Sequence, residues 1–380
     1  MYTYGVYMDS EETSLEVRII FVILIFIIPY NLSFLLPIMT GHGYNIQYDF
    51  KTWFYIFLSG LMFFASSIPL FIYLYYGKEP KIDYNNDYVT DLPTDDPPAI
   101  VNALCGGGYP KKVGIPDLDG FKATIMDLID RNCLILNTVP NPEDDVDSIF
   151  LEVNQDIDTT SLWEFELDVI NFLQEYEQEG IISMEMISES LSHQNGAEFF
   201  KQTYENWVKK VKKTLSDEGS LNEAFLREGD KLIKIFGIMG LILAIIGQIL
   251  IFADETAAFC LVGISSMILG FLAVISLLLP EKIAGKWTNY GKEYYIQWQM
   301  FKKYIEDFSL IKDYSPESVK VWNRYLVYAT ALGVADGVRR SMELSLPESI
   351  LTKSDMYMLQ YQSTPLLLLI NGIKTALEPD

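Results

Sequence analysis

The sequence predicts a mainly α membrane protein. Four transmembrane helices form two hairpins, an acidic cytoplasmic α+β winged-helix-like domain lies between the hairpins, and a helical cytoplasmic region ends the chain. Three observations carry this. Half of the 380 residues are hydrophobic and the mean hydropathy is +0.16, yet the formal net charge is −23. A soluble chain that acidic should be hydropathically negative, so charge and apolar residues must occupy different stretches. Four stretches lack Asp, Glu, Lys, Arg and His altogether, and the segment between the two hairpins concentrates the acids.

The four uncharged stretches are Ile19–Met39 (21 residues), Trp53–Gly77 (25), Ile235–Ala253 (19) and Thr256–Pro280 (25). A helix rises about 1.5 Å per residue and the hydrocarbon layer is about 30 Å thick, so each can span it. Pro29, Asn31 and Pro37 would kink the first without forbidding it. The spans pair into hairpins at 19–77 and 235–280. Lys and Arg near their ends fall seven on one side (Arg18, Lys78, Lys81, Lys231, Lys234, Lys282, Lys286) against one, Lys51, on the other. By the positive-inside rule, residues 1–18, 78–234 and 281–380 are cytoplasmic, in a multi-pass protein of the cell membrane. Tyr44, Tyr48, Trp53, Tyr73, Tyr75, Tyr76 and Trp287 stand where interfacial anchors belong. Gly240/Ala244 and Ser266/Gly270 are small-xxx-small pairs that allow close helix packing.

Between Lys78 and Asp230 there are 32 acidic and 12 basic residues, net −20. Lys78–Pro98 reads as a tether, and Pro97-Pro98 opens a helix over Ala99–Cys105. Gly106-Gly107-Gly108 then ends it; with no Gly-Lys-Ser/Thr following, a turn is the better reading than a phosphate loop. Asp119 is the expected N-cap of a helix Gly120–Arg131 with Phe121, Ile125, Leu128 and Ile129 on one face. Asn132 suits the left-handed position that closes it. Cys133–Leu136 and Ser148–Val153 read as strands joined by a turn at Asn141–Asp145. Helix, helix and β-hairpin give the winged-helix outline. Helices follow at Leu162–Tyr176, with Ser161 and Glu164 as a capping box, at Met184–Leu191 and at Ala197–Leu215.

In that last helix Phe200, Tyr204, Trp207, Val211 and Leu215 share one face, flanked by Lys209, Lys210, Lys212 and Lys213. Two readings stay open. The helix packs on its own domain, or it lies on the inner leaflet with Trp207 and the four lysines as membrane-surface residues, each Lys worth roughly 1 kcal/mol near anionic lipid.

After the last span, Tyr294–Leu310 places Trp298, Phe301, Ile305 and Phe308 on one helix face. Ser315-Pro316-Glu317 starts a further helix that Gly333 closes, with Val319, Trp322, Leu326 and Ala329 on one side. Tyr325 and Tyr328 on that helix read either as an exposed stacking pair or as core. Thr364–Ile370 begins an apolar helix too short to span a bilayer.

Pro97-Pro98-Ala99, the run Ala123-Thr124-Ile125-Met126-Asp127-Leu128-Ile129-Asp130-Arg131, and the run Tyr325–Asp336 (YLVYATALGVAD) resemble the prokaryotic predicted membrane proteins of domain-of-unknown-function family 2207 (DUF2207). The resemblance covers about residues 95–340. It implies a cytoplasmic region, a helical hairpin and a cytoplasmic C-terminal segment. Members also carry a signal peptide, an extracellular β-rich domain and a span before these; here the first 17 residues lead us to expect that the extracellular domain is missing. Where the family commonly has Arg-Gly-Tyr, this chain has Arg131-Asn132-Cys133. The resemblance implies no activity.

Function is bounded mainly by exclusion. Two histidines, His42 and His193, leave no room for a multi-histidine metal site, and Cys105, Cys133 and Cys260 lack CxxC spacing, so no metal or other cofactor is expected. The acidic balance argues against a nucleic-acid partner. The sequence therefore predicts a non-enzymatic scaffold or regulator. It would contact the lipid bilayer and present its acidic cytoplasmic face to a protein partner or to another copy of itself. A transport or channel component is the alternative, disfavoured by uncharged spans. The second alternative is a membrane-tethered enzyme using Cys105 or Cys133 with His193, which needs a lowered thiol pKa.

Overall fold

The computed structural model describes residues 50–82, 88–107, 112–139, 148–217, 224–251, 258–307, 319–351 and 354–361. Ile19–Met39, the turn at Asn141–Asp145, Phe308, the helix start at Ser315–Glu317 and Thr364–Ile370 lie outside them. In chain order the main elements begin with helices α1 (Phe50–Ala65), α2 (Ile68–Ile72), α3 (Pro98–Cys105) and α4 (Leu118–Asp130). Strands β1 (Leu134–Val139) and β2 (Ser148–Val153) follow, then α5 (Glu164–Gln174), β3 (Glu177–Gln178), β4 (Ile181–Ser183), α6 (Met184–Leu191) and α7 (Gln194–Asp217). The second half runs β5 (Phe225–Leu226), α8 (Glu228–Ile251), α9 (Ala258–Leu278), β6 (Lys286–Trp287), α10 (Asn289–Glu306), α11 (Val319–Leu332), α12 (Ala335–Ser345) and α13 (Asp355–Tyr361). Of the described residues, 50–79 and 226–286 form one compact unit; the remainder form a second.

The first unit holds three helices long and apolar enough to cross a membrane: Phe50–Gly77, Glu228–Leu250 and Leu261–Leu278. Small residues decide how α8 and α9 meet. A Cβ on Gly240 would lie 3.1 Å from Ala273 Cβ, one on Gly270 3.1 Å from Ala244 Cβ, and one on Gly247 only 2.7 Å from Ser266 Cβ. The predicted small-residue pairs thus face each other in an antiparallel stripe, where close backbone approach replaces a hydrophobic driving force. The Gln248 amide donates to Ser266 Oγ at 2.8 Å and to the Gly263 carbonyl at 3.3 Å. The Ser59 hydroxyl of α1 donates to the Leu261 carbonyl at 3.1 Å, and Met62 packs with Phe236, Val262 and Leu269. Lys234 Nζ donates to the carbonyls of Leu277 (2.7 Å) and Leu279 (2.6 Å), setting a cation on the C-terminal end of α9. Outward faces carry Phe54, Phe57, Ile238, Ile242 and Phe271, all exposed apolar side chains of the kind that lipid solvates.

The second unit joins residues 80–225 with 287–380, most of the two regions that the sequence places on either side of the second hairpin. The reason lies in α4 and α11. In α4, Ala123, Thr124, Met126 and Asp127 are buried along with the predicted Phe121, Ile125, Leu128 and Ile129. A helix apolar or buried all round needs partners on every side, and α3, α5 and α11 supply them. Asn102 of α3, itself fully buried, joins three segments: its Nδ2 donates to Asp117 Oδ1 (2.7 Å) and to the Ala331 carbonyl (2.8 Å), while its Oδ1 accepts from the Asp117 N–H (2.9 Å).

Local chemistry explains the boundaries. Asp117, not the predicted Asp119, caps α4, accepting from the N–H groups of Asp119 and Gly120; Asp119 sits in the first turn and pairs with Lys122 at 3.0 Å. The cap of α5 likewise falls at Trp163 rather than Ser161. Glu166, three residues on, accepts the Trp163 N–H at 3.0 Å, while Ser161 is held in a preceding 3-10 turn by Asp158. Asn132 closes α4 at φ +57° and Gly333 closes α11 at φ +75°, both in the left-handed position the sequence reserves for them. The sheet has the order β1-β2-β4-β3, with β1 antiparallel to β2 in the register Leu134↔Val153 to Val139↔Ser148. β1 thus runs to Val139, three residues past the expected Leu136.

Tyr325 and Tyr328 are core residues, not an exposed pair. Burial is nearly complete, and their hydroxyls donate to the carbonyls of Thr90 (2.6 Å) and Asp96 (2.8 Å), tying the 88–97 segment to α11.

Candidate functional site

The most highly ionised interior in the described residues is a row of five side chains across α5, α4 and α11. Glu166 of α5 is 1 % exposed and accepts from Arg131 Nη2 at 2.5 Å. Arg131 Nε donates to Asp127 Oδ2 at 2.8 Å, and the other oxygen of Asp127, 3 % exposed, takes Arg324 Nη1 of α11. Arg324 also approaches Asp130 at 3.5 Å, donates to the Tyr328 hydroxyl at 3.2 Å, and lies 5.0 Å over the Tyr328 ring. Helical spacing puts Asp127 and Arg131 on one face four residues apart. Arg324 reaches them because α11 packs along α4.

Burial shifts two carboxyls of this row. Desolvation pushes the Asp130 carboxyl above its usual range against the pull of Arg324. Desolvation likewise raises Glu166, opposed by Arg131 and by the Trp163 N–H. Beside the row opens a cleft of about 670 Å³, lined by Asp91, Asp130, Arg131, Lys320 and Arg324 among others. Among its described lining residues there is no cysteine, serine or histidine, and its two guanidiniums already serve carboxylates.

Cys133 and Cys105 are buried. Burial raises the Cys133 thiol, against the opposing pull of Arg131, and its sulfur lies 4.0 Å from the Arg131 carbonyl. A raised thiol is the reverse of what a nucleophile needs. His193 lies exposed at the junction of α6 and α7.

Trp207, Lys209, Lys210, Lys212 and Lys213 all lie on α7. Trp207 has no exposed surface; with Phe200, Val211 and Leu215 it packs inward, its ring edge-on to Phe121 at 5.3 Å. The ring is therefore a core element rather than a surface anchor. Lys210 pairs with Asp168 at 2.5 Å and Lys213 with Glu164 at 3.7 Å, whereas Lys209 and Lys212 point outward without a carboxylate partner among the described residues. Lys209 and Lys210 border a groove of about 350 Å³ between α5 and α7, which also touches Phe172 and Phe199. Among the described residues no group of three or more His, Cys, Asp and Glu is placed to hold a metal.

The ion row was not singled out from sequence. Asp127 and Arg131 stand in a conspicuous motif, but nothing in the linear pattern says that a mid-helix aspartate is interior or that Arg324 is its second partner.

A family model described as "Predicted membrane protein (DUF2207) C-terminal domain" matches residues 85–342, a span that contains the whole row. No curated protein and no solved structure matches the chain.

Proposed function

The chain belongs to the DUF2207 family of predicted membrane proteins, and from that premise we propose that it is a non-enzymatic, multi-pass scaffold or regulator presenting an acidic cytoplasmic face to a protein partner. The observation that carries this is the disposition of charge. The interior arginines are taken up by Asp127, Glu166 and Asp130. The segment from Asn132 to Phe200 has sixteen acids and no Lys or Arg, and of these Glu164, Glu175, Glu177, Glu179, Glu185 and Glu189 are exposed. Such a surface attracts basic protein segments and repels nucleic acid. The helix–helix–hairpin outline of α3, α4 and β1–β2 is that of a winged helix serving protein contact.

In this reading Ile19–Met39 is a fourth span. The seven-to-one distribution of Lys and Arg supports cytoplasmic termini and a cytoplasmic acidic domain. Lys209 and Lys212, outward and unpaired, supply an electrostatic contact with anionic lipid without any help from Trp207. The test is crosslinking in native membranes followed by identification of what is joined. One stoichiometric protein complex supports the scaffold, whereas substrate-dependent flux in proteoliposomes would replace it with the transport reading.

A further inference from the structure

Among the described residues, the sheet of the acidic unit ends on an open edge. In the order β1-β2-β4-β3 the outermost long strand is β1, paired on one side only. The Asn154 N–H donates to the Cys133 carbonyl at 3.1 Å, so 133↔154 is a hydrogen-bonded pair of the antiparallel ladder. Such pairs alternate along the ladder. Ile135, Asn137 and Val139 therefore turn their backbone groups toward β2, and Leu134, Leu136 and Thr138 turn theirs outward. Among the described residues those outward groups meet no backbone partner. The strand becomes more accessible along its length: Leu134 is buried and Leu136 half-buried, and Asn137, Thr138 and Val139 are exposed.

Within the strand itself nothing protects this edge. Proteins that keep an edge unpaired place Lys, Pro or a bulge on it; Leu-Ile-Leu-Asn-Thr-Val has none of these, and its register with β2 is unbroken. Ile135 and Val139 add exposed apolar side chains, 41 % and 51 % exposed, at alternate positions of one face. Carboxylates stand beside the strand: Glu152, opposite Ile135, accepts from the Asn137 amide at 2.7 Å, and Glu185 accepts from the Ser148 hydroxyl at 2.8 Å where β2 begins.

We propose that the outward edge of β1 is a docking site for an extended protein segment that alternates basic with β-branched or apolar residues and adds to the sheet as a fifth strand. Backbone hydrogen bonds to Leu134, Leu136 and Thr138 supply affinity, as in strand addition generally. Ile135 and Val139 take the apolar side chains, and the surrounding acids select Lys and Arg. A second copy of this chain is the poorer occupant, because its own β1 would bring the same carboxylates face to face. This inference rests on the scaffold reading above and gives its partner a chemical class.

The test uses the full chain in nanodiscs and a fluorescent ten-residue peptide of alternating Lys and Val. Wild type should bind it, and binding should weaken as salt screens the acids. Two changes probe the backbone. Thr138→Pro removes one outward donor while leaving the bonds to β2, since proline is accepted on the open side of an edge strand. It should weaken binding by roughly ten-fold or more through the lost bond and the ring's bulk. N-methylation of alternate peptide amides should do the same with the protein untouched, so a folding defect in Thr138→Pro cannot imitate the result. A peptide with Glu for Lys should not bind. Equal binding of the N-methylated peptide would mean a charge-only contact and would overturn the proposal, as would absence of binding by wild type. Wild type dimerising in a manner lost in Thr138→Pro would also overturn it, by giving the edge to a second copy. Partner crosslinks that persist unchanged in Thr138→Pro would leave the scaffold reading standing and remove this one.

Discussion

Arg324 donates to the carboxylate of Asp127 across 197 positions of sequence, in addition to the bond Asp127 receives from Arg131 one turn further along its own helix. The 123–131 run and the residue just before the 325–336 run, on either side of α8 and α9 in sequence, are thereby parts of one ionic contact. α4 brings the carboxylate, and α11 begins its most apolar stretch just after the arginine.

Removing that carboxylate should be destabilising. Asp127→Ala takes one carboxylate from each of two partly exposed guanidiniums, which keep Glu166 and Asp130, so the cost should be about 1–3 kcal/mol. Denaturant or thermal unfolding of the detergent-solubilised chain measures it. Asp127→Ala combined with Arg324→Ala should cost less than the sum of the two single changes, by roughly 0.5–3 kcal/mol, because the groups are coupled. Strict additivity would sink the contact.

Much of the fold was legible in the sequence, but this contact was not. Three of the four expected spans, strands β1 and β2, and the helix-closing positions at Asn132 and Gly333 followed from charge-free length, alternation and residue type, whereas the short strands β3 to β6 did not. Periodicity in α4 reports one apolar face, of Phe121, Ile125, Leu128 and Ile129, and cannot count how many neighbours a helix has, so it does not place Asp127 in the interior. Trp207 shows the converse. Its spacing gave its face correctly, but spacing alone does not say whether that face meets protein or lipid. The caps at Asp117 and Trp163 missed the expected residues by two positions, since several acids and hydroxyls compete near each helix start and only backbone geometry picks one.

Stability should carry a pH signature from the raised carboxyls. Burial holds Asp130 above its ordinary 3.8 and Glu166 above its ordinary 4.5. An acid that binds its proton more tightly folded than unfolded stabilises the fold while protonated. That contribution is complete below the unfolded value and is lost as pH rises through the folded one. In Asp130→Asn one such titration is gone, so its melting temperature should gain on that of wild type as pH rises just above 3.8. Parallel curves would show that Asp130 titrates alike in both states.

The α8–α9 stripe predicts a steep dependence on side-chain size. Gly247→Val must place carbon where Ser266 Cβ lies 2.7 Å away, which costs about 1–3 kcal/mol by overpacking. Ile246→Val, on a side chain 46 % exposed, should be near neutral in the same detergent unfolding assay. Equal effects would mean that the two helices are not held by close approach.

The lysines of α7 separate by their partners. Lys210 is tied to Asp168, so a water-soluble acetylating reagent should modify it slowly in nanodiscs of any lipid. Lys209 and Lys212 are outward, and near an anionic surface each is held by roughly 1 kcal/mol. Their modification should slow when neutral lipid is replaced by anionic lipid and recover at high salt. Rates indifferent to lipid charge would end the surface role.

Orientation is open to a direct check. Lys51 precedes the span Trp53–Gly77 on the side with a single base, while Thr159 is exposed in the acidic unit that follows the basic end of that span. A bilayer orients its helices by Lys and Arg in short flanking segments, because these residues resist translocation and Asp and Glu contribute little, so the large acidic excess beyond does not reverse the rule. In a chain whose other cysteines are replaced by Ser, Lys51→Cys should react with a membrane-impermeant maleimide added to intact cells. Thr159→Cys should react only after the membrane is opened. Both substitutions lie at exposed positions, so failure to label reports the barrier rather than burial. Labelling of Thr159→Cys in intact cells, with Lys51→Cys protected, would invert the topology and place the acidic face and the open edge of β1 outside.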